Sequence, residues 1–341
     1  DHRREWARTD FDNDGLPRPE WEALLKQVRR LADAAGHLRF ALPKAYGGQD
    51  GSNLWMAVIR EHLAAKGLGL HNDLQTEHSI VANNPFVLML RDFGTPEQQV
   101  EFIDGMLNER YRVTFGLTEA AHGSDATHME TKAVPEARDG VAGWRIDGEK
   151  MWTTGMHTAS HCLLFARSSG NAGDARGISA FIVPAQAPGV KIEEYLWTFN
   201  MPTDHPRVSF TNVWVPSDAM FGEEGRGLAL AQSFVHENRI RQAASSLGAA
   251  AFCVAESVKY AREVEKRLSD KVSMCNYWAN RLVCEAADRA MQVHGGIGYS
   301  RHKPFEHIYR HHRRYRITEG SEEIQMRKVA AFLFGYLGPN R

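Results

Sequence analysis

Two segments in the middle of the chain combine small hydroxyls, a carboxylate and glycine at close spacing. Residues 115–125 form an apolar run that leads into Thr118 and Glu119 and then into a turn at Gly123 and Ser124. A turn of this kind can present backbone N–H groups and small hydroxyls to a polar ligand. By itself, the same pattern also describes an ordinary turn in a β domain.

The second segment, residues 148–155, places the indole of Trp152 directly before the hydroxyls of Thr153 and Thr154. A flat aromatic ring beside two hydroxyls suits both the face and the edge of a planar ligand. Alone, Trp152 is equally the core tryptophan of any β domain.

Near the C-terminus, Glu319 is followed by Gly320 just before a predicted helix. Glycine favours a tight turn there, and the start of a helix leaves backbone N–H groups without intrahelical partners. Upstream, a predicted helix contains Gln292 and ends at Gly295 and Gly296, a pattern that is also an ordinary helix C-cap.

Taken together and in this order, these motifs resemble the acyl-CoA dehydrogenases. Thr-Glu-x-x-x-Gly-Ser-Asp at 118–125, with Lys-Met-Trp-x-Thr at 150–154, resembles the flavin-binding middle domain of that family. Gln-x-x-Gly-Gly-x-Gly at 292–298 and Glu-Gly-x-x-x-Ile-Gln at 319–325 resemble its C-terminal motifs. The resemblance extends from about Trp6 to Phe334.

The resemblance implies an FAD enzyme that removes hydrogen from Cα and Cβ of an acyl-CoA thioester. It implies that Glu319 is the catalytic base and that its backbone N–H, with a flavin ribityl hydroxyl, stabilises enolate-like charge at the thioester carbonyl. The FAD-binding positions that it implies are Phe115, Leu117, Thr118, Gly123, Ser124, Trp152, Thr153, Thr154, Gln292, Gly295, Gly296, Ser321 and Glu323. The implied substrate-binding positions are Ser124, Arg239, Thr318 and Gly320, with Arg239 orienting the base loop.

Two positions bear on the base and the acyl chain. Thr318 stands where the family often has tyrosine, so we expect room for a bulkier or branched chain. Some relatives carry the base on the long helix after the β domain, where this chain has Asn238, which cannot act as a base. Glu237 lies one residue, about 100°, around that helix, so Glu319 is the predicted base.

The pattern departs from the family after residue 263. The Arg-x-x-Phe-Gly element and a following Gln, which serve the flavin of the facing subunit in the family, do not appear. We therefore expect that the sequence is interrupted at Glu263–Val264 and again at Asp270–Lys271, because the helical domain would otherwise bury too little apolar surface.

The 341 residues suffice for two or three structural units. Hydrophobic periodicity predicts helices at 1–112, a compact β domain at 113–217 and helices again at 218–341. The resemblance implies an α+β fold in which these are an N-terminal helical domain, a β-barrel-like middle domain and a C-terminal helical bundle. The net charge is -1 and no run of 18 apolar residues occurs, so neither nucleic acid nor membrane is an expected partner. The four cysteines are expected to be reduced, buried thiols.

Several other functions remain as alternatives. Residues 10–15 match half of an EF-hand loop, but Trp21 stands where the loop needs a glutamate, so no metal is expected. His307 and His311 have metal-ligand spacing without a third ligand, and residues 310–316 are the most basic run. The alternatives are therefore an oxidase of the same fold and a non-catalytic or DNA-binding relative.

The resemblance also implies an electron-transfer flavoprotein as acceptor and a homotetramer or homodimer. The expected location is the cytoplasm of a bacterium or an organellar matrix. Because the chain begins at Asp1, the N-terminus is expected to be truncated.

Overall fold

The structure is a computed structural model that describes residues 9–10, 16–67, 77–82, 84–196, 205–263 and 269–335. It divides into two compact units, Asp1–Phe252 and Cys253–Arg341. The boundary falls inside a long helix, and each unit is described below by itself.

The first unit begins with a short antiparallel pair, β1 (Thr9–Asp10) and β2 (Leu16–Pro17), and continues as helices. These are α1 (Pro19–Ala34), α2 (Asn53–Ala65), α3 (Glu77–Ile80), α4 (Pro85–Phe93), α5 (Pro96–Gln98), a π-helical turn Gln99–Ile103, and α6 (Asp104–Leu107). Proline occupies the first turn of three of them, where its missing N–H is not needed. Thr95 and Gln98 form a reciprocal capping box at the start of α5.

A mixed eight-stranded sheet follows the helices. Its strands are β3 (Val113–Gly116), β4 (Lys132–Pro135), β5 (Gly143–Lys150), β6 (His161–Arg167), β7 (Ile178–Pro184), β8 (Val190–Leu196), β9 (His205–Pro216) and β10 (Met220–Phe221). The order across the sheet is β10-β7-β6-β4-β5-β9-β8, and β3 pairs with β6 in parallel. Strand β5 therefore ends next to β9, which is where the second motif lies.

Strand β6 is buried on both faces, which explains its nearly continuous apolar sequence. Its alternate residues enter two different cores. Leu163 and Phe165 pack with apolar residues of α4 and the π-helical turn, whereas Cys162 and Leu164 pack inside the sheet against residues of β5, β7 and β9. One face of β6 therefore packs against the helices, and its other face packs against neighbouring strands inside the sheet.

The C-terminal part is helical. Its elements are α7 (Gly227–Glu263), which spans the boundary between the units, α8 (Ser269–Tyr299), α9 (Phe305–Arg313), a 3-10 turn Arg314–Arg316, and α10 (Glu322–Leu333). In the second unit α8 packs against both α9 and α10. The helix–sheet–helix order predicted from periodicity is confirmed.

Some elements differ from the sequence prediction. Strands β4 and β8 were not predicted. Strand β8 carries Lys191, Glu193 and Glu194 and therefore lacks the expected apolar run. The range of α8 joins two helices across a kink at Gly295, whose φ of 60° and ψ of −143° are not helical. The break falls two residues after the predicted helix end at residue 293, so the prediction that a helix ends at the double glycine is confirmed.

The predicted interruptions have different outcomes. Helix α8 is unbroken through Asp270–Lys271, so no interruption appears there. The other junction, Glu263–Val264, adjoins residues 264–268, which lie outside the described residues. The half EF-hand at 10–15 likewise falls mostly outside them.

All four cysteines are free thiols, as expected. Cys162 and Cys284 are buried, but Cys253 and Cys275 are exposed, so the expectation of burial is wrong for these two. Cys253 lies in α7 and Cys275 lies in α8.

Two kinds of feature are absent from the described residues. No helix among them is long and apolar enough to cross a membrane. No group of three or more His, Cys, Asp or Glu side chains in that part of the chain could hold a metal ion. The rings of His307 and His311 do stack, with centroids 6.0 Å apart.

Candidate active site

A buried ion pair joins the two middle motifs. Lys150 Nζ lies 2.7 Å from Glu119 Oε1 and also donates a hydrogen bond to the Leu117 carbonyl at 3.2 Å. The Lys150 side chain is fully buried, and that of Glu119 is 8% exposed. The carboxylate of Glu119 additionally accepts the backbone N–H groups of Glu130 and Thr131. The pair therefore fixes the loop after β3 to the last residue of β5.

The environment of this pair changes both pKa values. Burial lowers the pKa of Lys150 to about 8, although the charge of Glu119 opposes this. Burial alone would raise the pKa of Glu119, but the Lys150 charge and the hydrogen bonds that the carboxylate accepts hold that pKa below its usual value. The surroundings therefore favour the charged form of Glu119, whereas burial disfavours the charged form of Lys150.

Backbone hydrogen bonds align the same two segments. The Met151 N–H donates to the Thr118 carbonyl at 2.8 Å, and the Thr114 hydroxyl donates to the Thr154 carbonyl at 2.5 Å. The Thr153 N–H donates to the Pro206 carbonyl on β9 at 3.1 Å. The chain after β5 is thus held on one side by the β3 loop and on the other by β9.

Trp152 adopts a left-handed backbone conformation, with φ at 60°. This costs a non-glycine residue of the order of 1–3 kcal/mol, and such strain concentrates at functional sites. The turn exposes Trp152, which is 45% accessible, and also Thr154, while it buries Thr153 between them. An indole and a hydroxyl therefore lie on the exposed side of this segment.

The predicted residues of the first segment differ in exposure. Phe115 is half-buried and its ring stacks on Phe234 of α7, with centroids 4.2 Å apart. Leu117 and Thr118 are half-buried, whereas Gly123 and Ser124 are exposed in the turn that follows. A Cβ atom on Gly123 would have no neighbour within 4 Å, so open space lies beside this turn.

In the second unit, Glu319 also has a left-handed backbone conformation, with φ at 58°, and Gly320 follows with φ at 96°. Glu319 and Thr318 are exposed. Within the described part of the chain, the N–H of Glu319 donates to no protein acceptor. The turn therefore presents a carboxylate and a free donor together.

Side chains on both flanks fix this turn. Gln325 Nε2 donates to the carbonyls of Glu319, at 3.0 Å, and Gly320, at 3.2 Å. Arg316 makes two hydrogen bonds to the Glu322 carboxylate, one of them at 2.9 Å, and Arg281 lies 3.5 Å from the same group. The spacing between Glu319 and Gln325 in the motif thus has a structural cause, since one residue closes the turn that carries the other.

The remaining positions predicted in the second unit are at helix ends. Ser321 is the N-cap residue of α10 but its side chain makes no capping hydrogen bond, and Glu323 is exposed in the first turn of that helix. Gln292, Gly295 and Gly296 are exposed in α8. Gly295 has a φ/ψ combination that is open essentially only to glycine.

The alternative base position lies on α7, in the first unit. Glu237 Oε1 accepts a hydrogen bond from Asn53 Nδ2 at 2.7 Å, and Asn238 Nδ2 donates to the Phe234 carbonyl. One oxygen of Glu237 is thereby engaged with α2, while Oε2 is buried and has no hydrogen-bond partner among the described residues. Arg239 is exposed on the same helix.

Sequence reasoning missed four contributors: Lys150, His205, Arg316 and Gln325. Thr154 Oγ1 lies 2.8 Å from His205 Nδ1, a contact between residues that are 51 positions apart. Gln325 and Lys150 stood within the quoted motifs but were given no role. His205 follows residues 197–204, whose sequence carries no distinctive motif, so no signal identified it.

This donor set fits a flavin. The first unit offers an exposed indole, an exposed hydroxyl beside it and an open glycine turn next to the strand that bears them. A planar heteroaromatic ring with polar edges is the ligand that an aromatic face and hydroxyls can bind.

Comparisons with known proteins agree along the chain. The models of the acyl-CoA dehydrogenase N-terminal, middle and C-terminal domains match residues 3–110, 114–213 and 263–334. A probable acyl-CoA dehydrogenase of Mycobacterium tuberculosis is 29% identical over 290 residues, covering 71% of this chain and 70% of the relative.

The CarC subunit of the caffeyl-CoA reductase-Etf complex of Acetobacterium woodii is 26% identical over 341 residues, covering 87% of each chain. Among solved structures, the Tcur3481-Tcur3483 steroid ACAD matches with a TM-score of 0.62 at 24% identity, covering 92% of this chain and 89% of that one. The last match supports the fold alone.

Proposed function

Because the chain belongs to the acyl-CoA dehydrogenase family, we propose that it is an FAD-dependent enzyme whose Glu319 removes the α-proton of an acyl-CoA thioester. The chain is an oxidoreductase that acts on acyl-CoA. The α+β fold predicted from the sequence is confirmed by this membership.

The observation that carries the proposal is the geometry at Glu319. A glutamate in a left-handed conformation is uncommon, and such outliers persist only where their surroundings impose them. Here Gln325 holds the two carbonyls of the turn, and the carboxylate remains exposed. A fixed but accessible carboxylate is what a general base requires.

The base and the oxyanion donor come from the same residue. The Glu319 carboxylate would take the proton from Cα, and its free N–H would donate to the thioester oxygen as negative charge develops there. The C–H bond electrons at Cα form the new double bond as hydride leaves Cβ. FAD, when bound, supplies the acceptor for that hydride.

The first unit would hold the flavin. Trp152 and Thr154 would contact the isoalloxazine, and Thr118, Gly123 and Ser124 would bind polar groups of FAD or of the CoA arm. The buried Glu119–Lys150 pair supports this role because it fixes both segments at their bases. Phe115 and Leu117 would contribute backbone and packing, since their side chains face the apolar cluster.

The electron acceptor that we propose is an electron-transfer flavoprotein. The Acetobacterium woodii relative is a subunit of an Etf complex, which supports this choice. We also propose that Thr318 leaves room for a bulky acyl chain, since its side chain is small and exposed.

An anaerobic titration tests the proposal. Protein loaded with FAD is mixed with straight, branched and aromatic acyl-CoAs, and the flavin absorbance is followed. We expect one class to bleach the flavin, and no bleaching by any acyl-CoA would contradict the proposal. Hydrogen peroxide formed in air with the active substrate would instead identify an oxidase.

A further inference from the structure

The side chain of His205 contacts the hydroxyl that the proposed function places at the flavin. His205 Nδ1 and Thr154 Oγ1 are 2.8 Å apart. His205 is the first residue of β9, and Thr154 follows the end of β5, which pairs with β9. The hydrogen bond from the Thr153 N–H to the Pro206 carbonyl lies between them and continues this pairing. The contact is therefore built into the sheet.

Hydrogen bonds fix the backbone of Thr154, so its hydroxyl is the group that can still change direction. The Thr154 carbonyl accepts the Thr114 hydroxyl, and its N–H donates to the Trp152 carbonyl at 2.9 Å. Thr154 and Trp152 are both exposed, and His205 is half-buried. The Thr154 hydroxyl lies 2.8 Å from His205 Nδ1 and 3.5 Å from the Trp152 carbonyl, the longer and therefore weaker contact. The direction of the Thr154 O–H bond is then decided by its partners.

The Thr154 hydroxyl and the His205 imidazole can each act as hydrogen-bond donor or acceptor. A hydroxyl has one donor and two acceptor sites, and a neutral imidazole Nδ1 accepts or donates according to its tautomer. The isoalloxazine N5 accepts a hydrogen bond when the ring is oxidised and donates one when it is reduced. A hydroxyl that contacted this nitrogen of a bound flavin would therefore have to reverse its direction between the two redox states.

We propose that His205 is a positioning residue that orients the Thr154 hydroxyl toward bound flavin and supports it in both redox states. When Thr154 donates to the ring, the imidazole N–H donates to the threonine oxygen. When Thr154 accepts from the ring, its O–H donates to the unprotonated Nδ1. This inference rests on the proposed FAD site and adds a residue that none of the matched motifs contains.

A double-mutant cycle on FAD binding tests the inference. Apoprotein forms of the wild type, His205→Leu, Thr154→Val and the double variant are titrated with FAD, and the dissociation constant is measured by flavin fluorescence. Loss of one supporting hydrogen bond should weaken binding in His205→Leu about 2- to 12-fold. In the Thr154→Val background the same change should alter affinity less than about 2-fold, because no hydroxyl remains to be oriented.

Three further measurements separate positioning from a structural role. His205→Asn, whose amide can donate or accept near the Nδ1 position, should restore affinity to within about threefold. His205→Leu should weaken the binding of dithionite-reduced FAD by a similar factor. The midpoint potential of the bound flavin should therefore stay unchanged. His37→Asn, at an exposed histidine after α1, is the matched control and should change nothing.

The outcomes distinguish this inference from the proposed function. If the wild type binds no FAD, the proposed function fails. If the wild type binds FAD but the two substitutions are additive, His205 does not act through Thr154 and the inference is wrong. A shift of the midpoint potential in His205→Leu would contradict the support of both redox states.

Discussion

Trp152 and Glu319 both have left-handed backbone conformations, yet the two turns are fixed in different ways. The Trp152 turn is attached to a sheet and to a buried ion pair, and its hydrogen bonds are largely between backbone groups. The Glu319 turn is fixed by side chains, chiefly Gln325 and the Arg316–Glu322 pair, which are only partly buried. The first turn is therefore part of a core, whereas the second depends on a few replaceable contacts.

The contacts of the two turns should therefore contribute different amounts to the free energy of unfolding. Removing one partner of a buried pair typically costs about 3–5 kcal/mol, because a charge is left without compensation. Removing a partly exposed neutral hydrogen bond costs about 0.5–1.5 kcal/mol. We expect substitutions in the buried ion pair to act on folding and those at the Glu319 turn to act on that turn and its chemistry.

The largest expected effect is on turnover in Glu319→Gln. The amide cannot accept the α-proton, and loss of a general base costs about 10²- to 10⁴-fold in rate. FAD and acyl-CoA binding should be retained, because glutamine preserves the side-chain volume. Turnover with the active acyl-CoA is the measurement, and Glu285→Gln, at an exposed position of α8, is the control. Near wild-type turnover would remove Glu319 from the mechanism.

Lys150→Met should lower the free energy of unfolding by about 3–5 kcal/mol, because Glu119 is left buried and charged. Urea denaturation measures the loss. The exposed pair of Lys191 and Glu193 provides the control, and Lys191→Met should cost less than about 1 kcal/mol. The double variant Glu119→Gln/Lys150→Met should recover much of the loss, and no recovery would show that charge is not the cause.

Trp152→Ala should weaken FAD binding about tenfold through the lost aromatic contact. The free energy of unfolding should change little, because the indole is already 45% exposed and leaves no closed cavity. Fluorescence titration and urea denaturation separate the two quantities. Trp278→Ala, at a 62% exposed tryptophan of α8, serves as control. Unchanged flavin affinity in a folded Trp152→Ala protein would contradict the site.

Gln325→Ala should loosen the base turn at a cost of about 0.5–1.5 kcal/mol, since both of its hydrogen bonds are partly exposed. Amide hydrogen exchange at residues 318–321 should become faster while exchange in the sheet stays the same. The same substitution at Gln232, an exposed residue of α7, controls for helix propensity. Uniform acceleration in both regions would show that Gln325 supports the whole unit.

The smallest expected effect is on the pH dependence of stability. Burial lowers the pKa of Lys150 to about 8 from 10.5, so between these values the unfolded chain binds more protons at this site. The free energy of unfolding should therefore rise with pH there, by up to about 1.4 kcal/mol per unit. Above pH 9 Cys162 acts in the opposite direction, since burial raises its pKa to about 12.

Comparison of Lys150→Met with the wild type between pH 8 and 9 isolates the effect of Lys150. The wild-type curve of unfolding free energy against pH should be the steeper of the two. Parallel curves would show that Lys150 is charged in the folded protein throughout this range.

Much of the fold could be predicted from apolar periodicity. The apolar runs of β6 and β7, and the long helical stretches of α7 and α8, follow from side chains that must reach a core. Strand β8 was missed because its outward charges hide the alternation. The double glycine correctly predicted the break at Gly295, because glycine adopts backbone angles that end a helix.

Within the candidate site, motif positions were predictable but their supports were not. Thr118, Trp152 and Glu319 stood in recognisable segments, so their chemistry could be inferred from residue type. The partners Lys150, Gln325 and His205 act through contacts whose spacing has no fixed period. His205 in particular is 51 residues from Thr154, and only the pairing of β5 with β9 brings them together.

The sequence by itself determined the order of helical and strand segments, the family resemblance and the residue types available for chemistry. These depend on local periodicity and on short motifs, which a linear chain contains in full. The tertiary structure decided how each carboxylate is surrounded: Glu119 pairs with Lys150 and Glu237 accepts a hydrogen bond from Asn53, whereas Glu319 is left exposed on its turn. Burial and pairing are relations between distant residues, and folding alone creates them.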